Sequence, residues 1–97
     1  MKANYYVVNW MYHEYGWGAS PDGESFHKTR EDAKKFIEQI LRENRQSGDK
    51  DFSYPSPDVI YPIIADDDLL NKIGDSLGYR IDEDQVGSVK YTIVVES

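Results

Sequence analysis

The chain opens with a segment in which apolar and polar positions alternate, as they do in a half-buried β-strand. In "NYYVVNWMYH", residues 4–13, the more apolar face consists of the even positions Tyr6, Val8, Trp10 and Tyr12. The tetrapeptide "SPDG" at 20–23 has proline second and glycine last, the order typical of a type I turn that closes a hairpin. A second strand is therefore expected at residues 24–28, antiparallel to the end of the first.

A helical period follows directly. Thr29 and Asp32 have the spacing of a capping box, and Gly48 is the type of residue that commonly ends a helix. Between them, apolar residues recur at intervals of three and four, which is the pattern of one helix face: Ala33, Phe36, Ile37, Ile40 and Leu41. The spacing predicts one long helix between the cap and the stop.

The second half continues with "DVIYPIIA", a predicted strand that must be bulged or lie at a sheet edge, because Pro62 has no amide donor. Asp66 is expected to cap a shorter helix that runs to about Leu77. The segments "YRI" and "SVKYTIVVE" then predict two strands on either side of the acidic turn "DEDQVG", and the last strand is expected near the first.

The predicted order of elements is β-β-α-β-α-β-β. This order favours a single α+β domain spanning residues 1–97, in which two helices cover one face of a mostly antiparallel sheet. A chain of this length buries one modest core.

Charge is distributed unevenly along the chain, whose formal net charge is −7. Residues 1–48 hold seven acidic and seven basic side chains, whereas residues 49–97 hold eleven acidic and four basic ones. A field of this sign disfavours direct binding to nucleic acid or to an anionic membrane, and it favours a basic protein partner. The absence of cysteine, of a secretion signal and of a long apolar run predicts a cytoplasmic protein.

Two runs of acidic residues are candidates for chemistry: Asp66, Asp67 and Asp68, and Asp82, Glu83 and Asp84. Carboxylates in groups can hold a divalent metal, but "DEDQVG" lacks the regular ligand offsets of a calcium loop. Helix capping explains the first run and a solvated turn the second. We therefore expect no catalytic residue, no metal and no cofactor, and a carboxylate-dependent metalloenzyme is the least favoured alternative.

The two histidines do not predict a joint site. With "SPDG" as the hairpin turn, His27 lies opposite Gly16 or Trp17 and so away from His13. Each histidine is expected at the surface or at a strand end.

Aromatic residues are numerous for so small a domain, which contains eight tyrosines, two tryptophans and three phenylalanines. Tyr15 and Trp17 either complete the core over the hairpin end or contact a second copy of the chain. Tyr54 and Tyr61 precede the acidic runs, and rings beside carboxylates suit a basic partner. The candidate partner-binding residues are thus Tyr54, Tyr61, Asp66, Asp67, Asp68, Asp82, Glu83 and Asp84.

The pattern "YYVVNW…YGWG…F" followed by "KTREDAKKFI", at residues 5–41, resembles small acidic accessory proteins of bacteriophages and mobile elements. This resemblance implies a short hairpin followed by a capped helix. It also implies an inhibitor or modulator that occupies a basic, in some cases nucleic-acid-binding, surface of a host protein, acting in the bacterial cytoplasm.

Three hypotheses follow for function. The first is a non-enzymatic module that binds a basic host protein. The second is a self-associating structural protein that dimerises through Tyr15, Trp17 and an open sheet edge. The third is the metalloenzyme.

Overall fold

The computed structural model describes residues 2–95, except for the side chains of residues 57–59. Its elements are, in chain order, β1 (Tyr5–Glu14), β2 (Gly18–His27), α1 (Arg30–Ser47), β3 (Phe52–Ala65), α2 (Asp68–Ile73), β4 (Tyr79–Ile81), a 3₁₀ helix (Glu83–Gln85) and β5 (Tyr91–Ile93). The α+β class and the predicted order of strands and helices are confirmed.

The described strands form one antiparallel sheet in the order β4-β2-β1-β3-β5. The strands β4 and β5 follow each other in the chain but occupy opposite edges of the sheet. The connection between them, residues 82–90, therefore passes over one face of the sheet, and we call it the crossing segment. The expectation that the last strand lies near the first is wrong, because β3 separates β5 from β1. Glu96, the end of the predicted last strand, lies outside the described residues.

The hairpin between β1 and β2 closes at residues 15–17 rather than at "SPDG". The amide of Trp17 donates to the carbonyl of Glu14 at 3.0 Å. Gly16 and Gly18 have φ values of 84° and 90°, in the region that glycine adopts at little steric cost. These two glycines allow the tighter turn, and β2 begins at Gly18, ahead of the second strand predicted at residues 24–28, so the predicted turn is wrong.

The "SPDG" tetrapeptide lies inside β2 and forms a β-bulge. Trp10 pairs with Gly23, and the next residue, Met11, pairs with Pro21, which leaves Asp22 without a partner on β1. A bulge accommodates the proline and the positive φ of Gly23 (105°) without ending the strand. The tetrapeptide has the sequence of a turn. It forms a bulge instead, because β1 pairs with β2 on both sides of it.

Helix α1 begins and ends where the sequence predicts. The Thr29 side chain accepts a hydrogen bond from the Asp32 amide at 3.0 Å. Gly48 adopts the left-handed conformation (φ 65°), and its amide donates to the carbonyl of Asn44 at 3.3 Å. Both caps use groups close in sequence, so local patterns suffice to predict them.

The two helices pack on different faces of the sheet. Val8 and Trp10 form a core cluster with Ala33 and neighbouring apolar residues of α1. Val7 belongs to a second cluster, which includes Leu69 and Ile73 of α2 together with Tyr5, Phe26, Ile63 and Ile81. Adjacent residues of a strand point to opposite faces, so α1 and α2 lie on opposite sides of the sheet rather than on one face as predicted.

Helix α2 is shorter than the sequence predicts. It spans Asp68–Ile73, its N-cap is Asp67, and Gly74 ends it with a φ of 59°. Asp66 contributes its carbonyl to the first turn, where it accepts from the amide of Leu69 at 3.1 Å. Glycine at position 74 thus acts as a stop and not as a weak point inside a longer helix.

Strand β3 is bulged, and the part of it that contains Pro62 does not lie at an edge of the sheet. Val8 of β1 pairs with Ile60, whereas Trp10 pairs with Pro55, so the register shifts between them. Beyond the bulge, Pro62 lies between β1 and β5, and its carbonyl accepts from the amide of Val94 at 2.8 Å. The prediction of a bulged strand is thus correct, and the alternative of an edge position for Pro62 is wrong.

Candidate partner-binding surface

Two aromatic side chains at the hairpin tip project into solvent. Tyr15 is 67% exposed and Trp17 is 87% exposed. The Lys50 ammonium lies 4.7 Å from the centre of the Tyr15 ring, and the Tyr15 amide donates to Asp51 Oδ1 at 2.8 Å. Neither ring completes the core, which leaves both available to a second molecule.

Next to the tip, one face of the sheet has no helix over it. Met11 pairs with Tyr54 and His13 pairs with Phe52, and the parity of β1 places all four on the face opposite α1. The Phe52 ring lies 5.1 Å from the His13 ring and 6.1 Å from the Tyr54 ring. These four half-buried residues belong to neither core cluster, and we call them the open strip.

The predicted tyrosines separate into two environments. Tyr54 is part of the open strip and remains half-exposed. Tyr61 instead packs against the core cluster beneath α2, which makes it a residue of the core margin. Sequence spacing placed them together, but the bulge of β3 lies between them.

The two acidic runs are exposed, and they lie at different places. Asp66, Asp67 and Asp68 lie where β3 leads into α2, and Asp82, Glu83 and Asp84 begin the crossing segment. Of these six, Asp68 is the only one with an ion pair within the described part of the chain, to Lys72 at 3.8 Å. Asp82 is also the N-cap of the 3₁₀ helix, and its backbone amide donates to Gln85 Oε1 at 3.2 Å.

Sequence reasoning missed Glu24, the buried acidic residue of β2. Only 6% of it is exposed, and the Tyr91 hydroxyl donates to its Oε2. Its Oε1 has no hydrogen-bond partner among the described residues. A signal was present in the sequence, because Glu24 and Phe26 alternate in a strand and must share the face that Phe26 buries.

The surroundings of Glu24 are shaped by the crossing segment. Burial, followed by the hydrogen bond to Glu24, raises the pKa of Tyr91 above its ordinary value of 10.0, so the hydroxyl stays the donor. Cavities of about 280 and 320 Å³ adjoin Glu24, and Val86, 44% exposed, lines both of them. The carboxylate therefore lies under a cover that is itself half-exposed.

On the opposite face, a second set of buried polar groups is fully paired. Trp10 Nε1 donates to Ser25 Oγ at 2.7 Å, and Ser25 Oγ lies 2.8 Å from His27 Nε2. His27 Nδ1 lies 2.8 Å from the carbonyl of Leu77, an acceptor only, so Nδ1 carries the proton and Nε2 accepts from the serine. His27 is the last residue of β2, so the expectation of a strand-end position is correct, but it is buried rather than at the surface. The hairpin register pairs it with Tyr6 and not with Gly16 or Trp17.

This Ser25–His27 pair is a structural feature. Both residues are 0% exposed, so no substrate reaches the hydroxyl, and no carboxylate accepts from the imidazole. Burial lowers the pKa of His27, against the opposing effects of the Leu77 hydrogen bond and of Asp32. The neutral imidazole is thereby favoured in the folded protein.

The bulged residue Asp22 anchors the edge strand β4 on the α1 face. Arg80 donates to Asp22 Oδ2 at 2.5 Å, and Ser53 Oγ donates to the same oxygen at 2.5 Å. The Arg80 guanidinium also lies 5.0 Å from the Trp10 ring. This half-buried ion pair connects three strands at the point where the bulge turns Asp22 out of the ladder.

Within residues 2–95, the side chains of residues 57–59 apart, no group of three or more histidine, aspartate or glutamate side chains is placed to hold a metal ion. No helix in the same stretch is long and apolar enough to cross a membrane. Comparisons with protein-family models, with curated proteins and with solved structures find no match to this chain.

Proposed function

We propose that this protein is a non-enzymatic binding module that takes a basic surface of a partner protein. The observation that carries the proposal is the unpaired state of the acidic runs. Within the described part of the chain, five of their six carboxylates are exposed and form no ion pair, Asp68 being the exception. Exposed carboxylates that form no internal ion pair attract a basic surface from solution and raise the rate of encounter.

The open strip gives this surface an apolar contact beside its charge. Met11, His13, Phe52 and Tyr54 lie on the same face as the crossing segment, whose first residues are Asp82, Glu83 and Asp84. Aromatic side chains supply contact area at low entropy cost, and arginine stacks on their rings. The acidic side chains that attract a partner and the open strip that contacts it thus lie on the same face, in the part that α2 does not cover.

The biological role in this proposal follows the resemblance to phage accessory proteins. Occupation of a basic surface, including one that binds nucleic acid, inhibits or modulates the host protein that carries it. Under this proposal the protein acts in the bacterial cytoplasm and needs no cofactor.

Affinity capture with matched variants tests the proposal. Wild-type chain, an Asp82→Asn/Glu83→Gln/Asp84→Asn variant and a Glu31→Gln/Glu38→Gln/Glu43→Gln control are immobilised and exposed to one bacterial lysate, with elution by a salt ramp. The control changes the net charge by the same amount on exposed positions of α1, on the other face. Asparagine at position 82 keeps the capacity to cap.

We expect a basic protein that wild type and control retain equally and that the 82–84 variant releases at lower salt, because screening weakens exposed charge pairs. Mass spectrometry identifies it, and titration of the purified protein measures the difference in affinity. Retention that is equal on all three chains, or that does not change with salt, would contradict the proposal.

A second candidate function is self-association through the hairpin tip. It is favoured by the exposure of Trp17 and Tyr15, since large exposed aromatic side chains are typical of contact surfaces. The described strands β4 and β5 pair with only three residues each of β2 and β3, so longer stretches of those two strands have no described neighbour on their outer side and are also open to pairing with a second copy. Sedimentation tests it: a dimer that persists on dilution and is lost in Trp17→Ala supports self-association, and a monomer at every concentration rejects it.

A further inference from the structure

The cavity of about 320 Å³ beside Glu24 has walls of uniform charge sign. Two carboxylates line it, those of Glu24 and Glu83, and its described lining contains no lysine, arginine or histidine. Asn9 and Ser56 add neutral polar groups, and Met11 belongs to its apolar lining. With about 30 Å³ per water molecule, the space corresponds to about ten waters, enough to admit one long side chain.

The buried carboxylate of Glu24 lacks a partner at one of its two oxygens. It is 94% buried (6% exposed), and one carboxylate oxygen is satisfied by the Tyr91 hydroxyl while the other has no partner among the described residues. A buried carboxylate normally has a hydrogen-bond donor or a cation at each oxygen. The folded chain therefore leaves a position that a donor from another molecule can fill.

We propose that this cavity is the socket for one arginine side chain of the basic partner. The inference rests on the proposed function and specifies which contact recognises the partner. Guanidinium presents five N–H donors in a planar fork, so one group can reach both Glu24 and Glu83, and its flat face packs on Met11. A metal ion is a poorer occupant, because the described residues offer two carboxylates here and no third charged ligand.

Val86 controls access to Glu24 Oε1, the buried oxygen that has no partner among the described residues. It lines both cavities that adjoin Glu24, is 44% exposed, and is the C-cap of the 3₁₀ helix. An arginine that enters the socket displaces the Val86 side chain from above Glu24. Removing two methyl groups at this position should therefore ease entry.

The test uses the whole chain, labelled with ¹⁵N, and N-acetylarginine methylamide as the probe, with the lysine counterpart as its control. We expect the arginine probe to shift the amide signals of Asn9, Glu24 and Val86, with saturation near about 10 mM or below. The lysine probe should bind more weakly, since an ammonium lacks the planar fork.

Three variants define the contact. Glu83→Gln, at an exposed position, and Glu24→Gln should each weaken the arginine probe at least about tenfold, and Val86→Ala should strengthen it. Glu38→Gln on α1 should leave affinity unchanged. An unfolding curve for Glu24→Gln verifies that it is folded, and Glu83→Gln gives an independent answer if it is not.

Absence of any shift at these positions up to about 10 mM, or a shift that Glu24→Gln and Glu83→Gln do not reduce, would overturn the socket. The result of the probe titration can be distinguished from the result of the affinity capture that tests the proposed function. A salt-sensitive basic partner that still binds when the arginine probe does not would reject the socket alone. A probe that binds while capture finds no basic protein would support the socket and reject the partner-binding function.

Discussion

Ser25 and Glu24 are neighbours in β2, both are buried, and they lie on opposite faces of the sheet. Ser25 accepts from Trp10 and donates to His27, so its hydroxyl has a partner both as acceptor and as donor. Glu24 has one oxygen paired with Tyr91 and one without a partner among the described residues. One strand thus carries a completed polar network on one side and an incomplete one on the other.

The covers of the two faces explain the difference. The 18-residue helix α1 lies over one face, where Trp10, Ser25 and His27 are at most 1% exposed. The other face is covered by the six-residue α2 and by the crossing segment, which leave the open strip uncovered. Both faces carry a core cluster, and we infer that the part of the second face that α2 leaves uncovered is available for binding.

The largest predicted effect distinguishes the two tryptophans. Trp10→Ala should lower the free energy of unfolding by about 3–5 kcal/mol, because it empties the α1 core and leaves Ser25 without its donor. Trp17→Ala should change it by no more than about 0.5 kcal/mol. Urea unfolding measures both, and equal costs would contradict the assignment of Trp17 to the surface.

The next largest predicted effect compares the stability cost of substituting Ser25 with that of substituting Glu24. Ser25→Ala should cost about 1–3 kcal/mol, since Trp10 Nε1 and His27 Nε2 are then left buried and unpaired. Glu24→Gln should cost less than about 1 kcal/mol, because the amide oxygen still accepts from Tyr91 and a buried charge is removed. If Glu24→Gln is as costly as Ser25→Ala in the same unfolding assay, then Glu24 is a structural residue and the comparison fails.

A smaller effect concerns pH. Burial lowers the pKa of His27 in the folded state. Below about pH 6.5 the imidazole is therefore protonated more readily in the unfolded chain than in the folded chain. The contribution of this residue to stability is complete above about pH 6.5 and is lost as the pH falls toward the folded pKa, by at most about 1.4 kcal/mol per pH unit. Unfolding curves at about pH 7.5, 6.5 and 5.5 measure it.

His13 provides the matched control for this prediction. It lies in the open strip against Phe52, and His13→Gln removes the other histidine of the chain while His27 stays in place. A free energy of unfolding that is constant over the window, or one whose slope disappears in His13→Gln, would contradict the assignment to His27.

The parts of the fold that sequence predicts well depend on local interactions. The helix α1 is defined by Thr29, by Gly48 and by a regular apolar period, all within 20 residues of one another. The hairpin turn was misplaced because "SPDG" satisfies a local rule, while the pairing of β1 with both halves of β2 turns it into a bulge. That pairing is a property of the whole ladder and is not visible in four residues.

The candidate surface was predicted in part for the same reason. The exposure of Asp66–Asp68 and Asp82–Asp84 follows from their polarity. Their placement does not, because β4 and β5 separate to opposite edges and the crossing segment covers Glu24. A contact between Glu24 and Tyr91, 67 positions apart, depends on topology that no local pattern encodes.

The most direct test of the central claim is to map which face receives a basic ligand. The ¹⁵N-labelled chain is titrated with an arginine-rich peptide, and the shift of each amide signal is recorded at low and at high salt. We predict shifts concentrated at Asn9, Met11, Glu24, Tyr54 and Glu83, with loss of binding at high salt. Shifts concentrated at Glu31, Glu38 and Glu43 of α1, or spread evenly over both faces, would contradict the claim that the two faces have different roles.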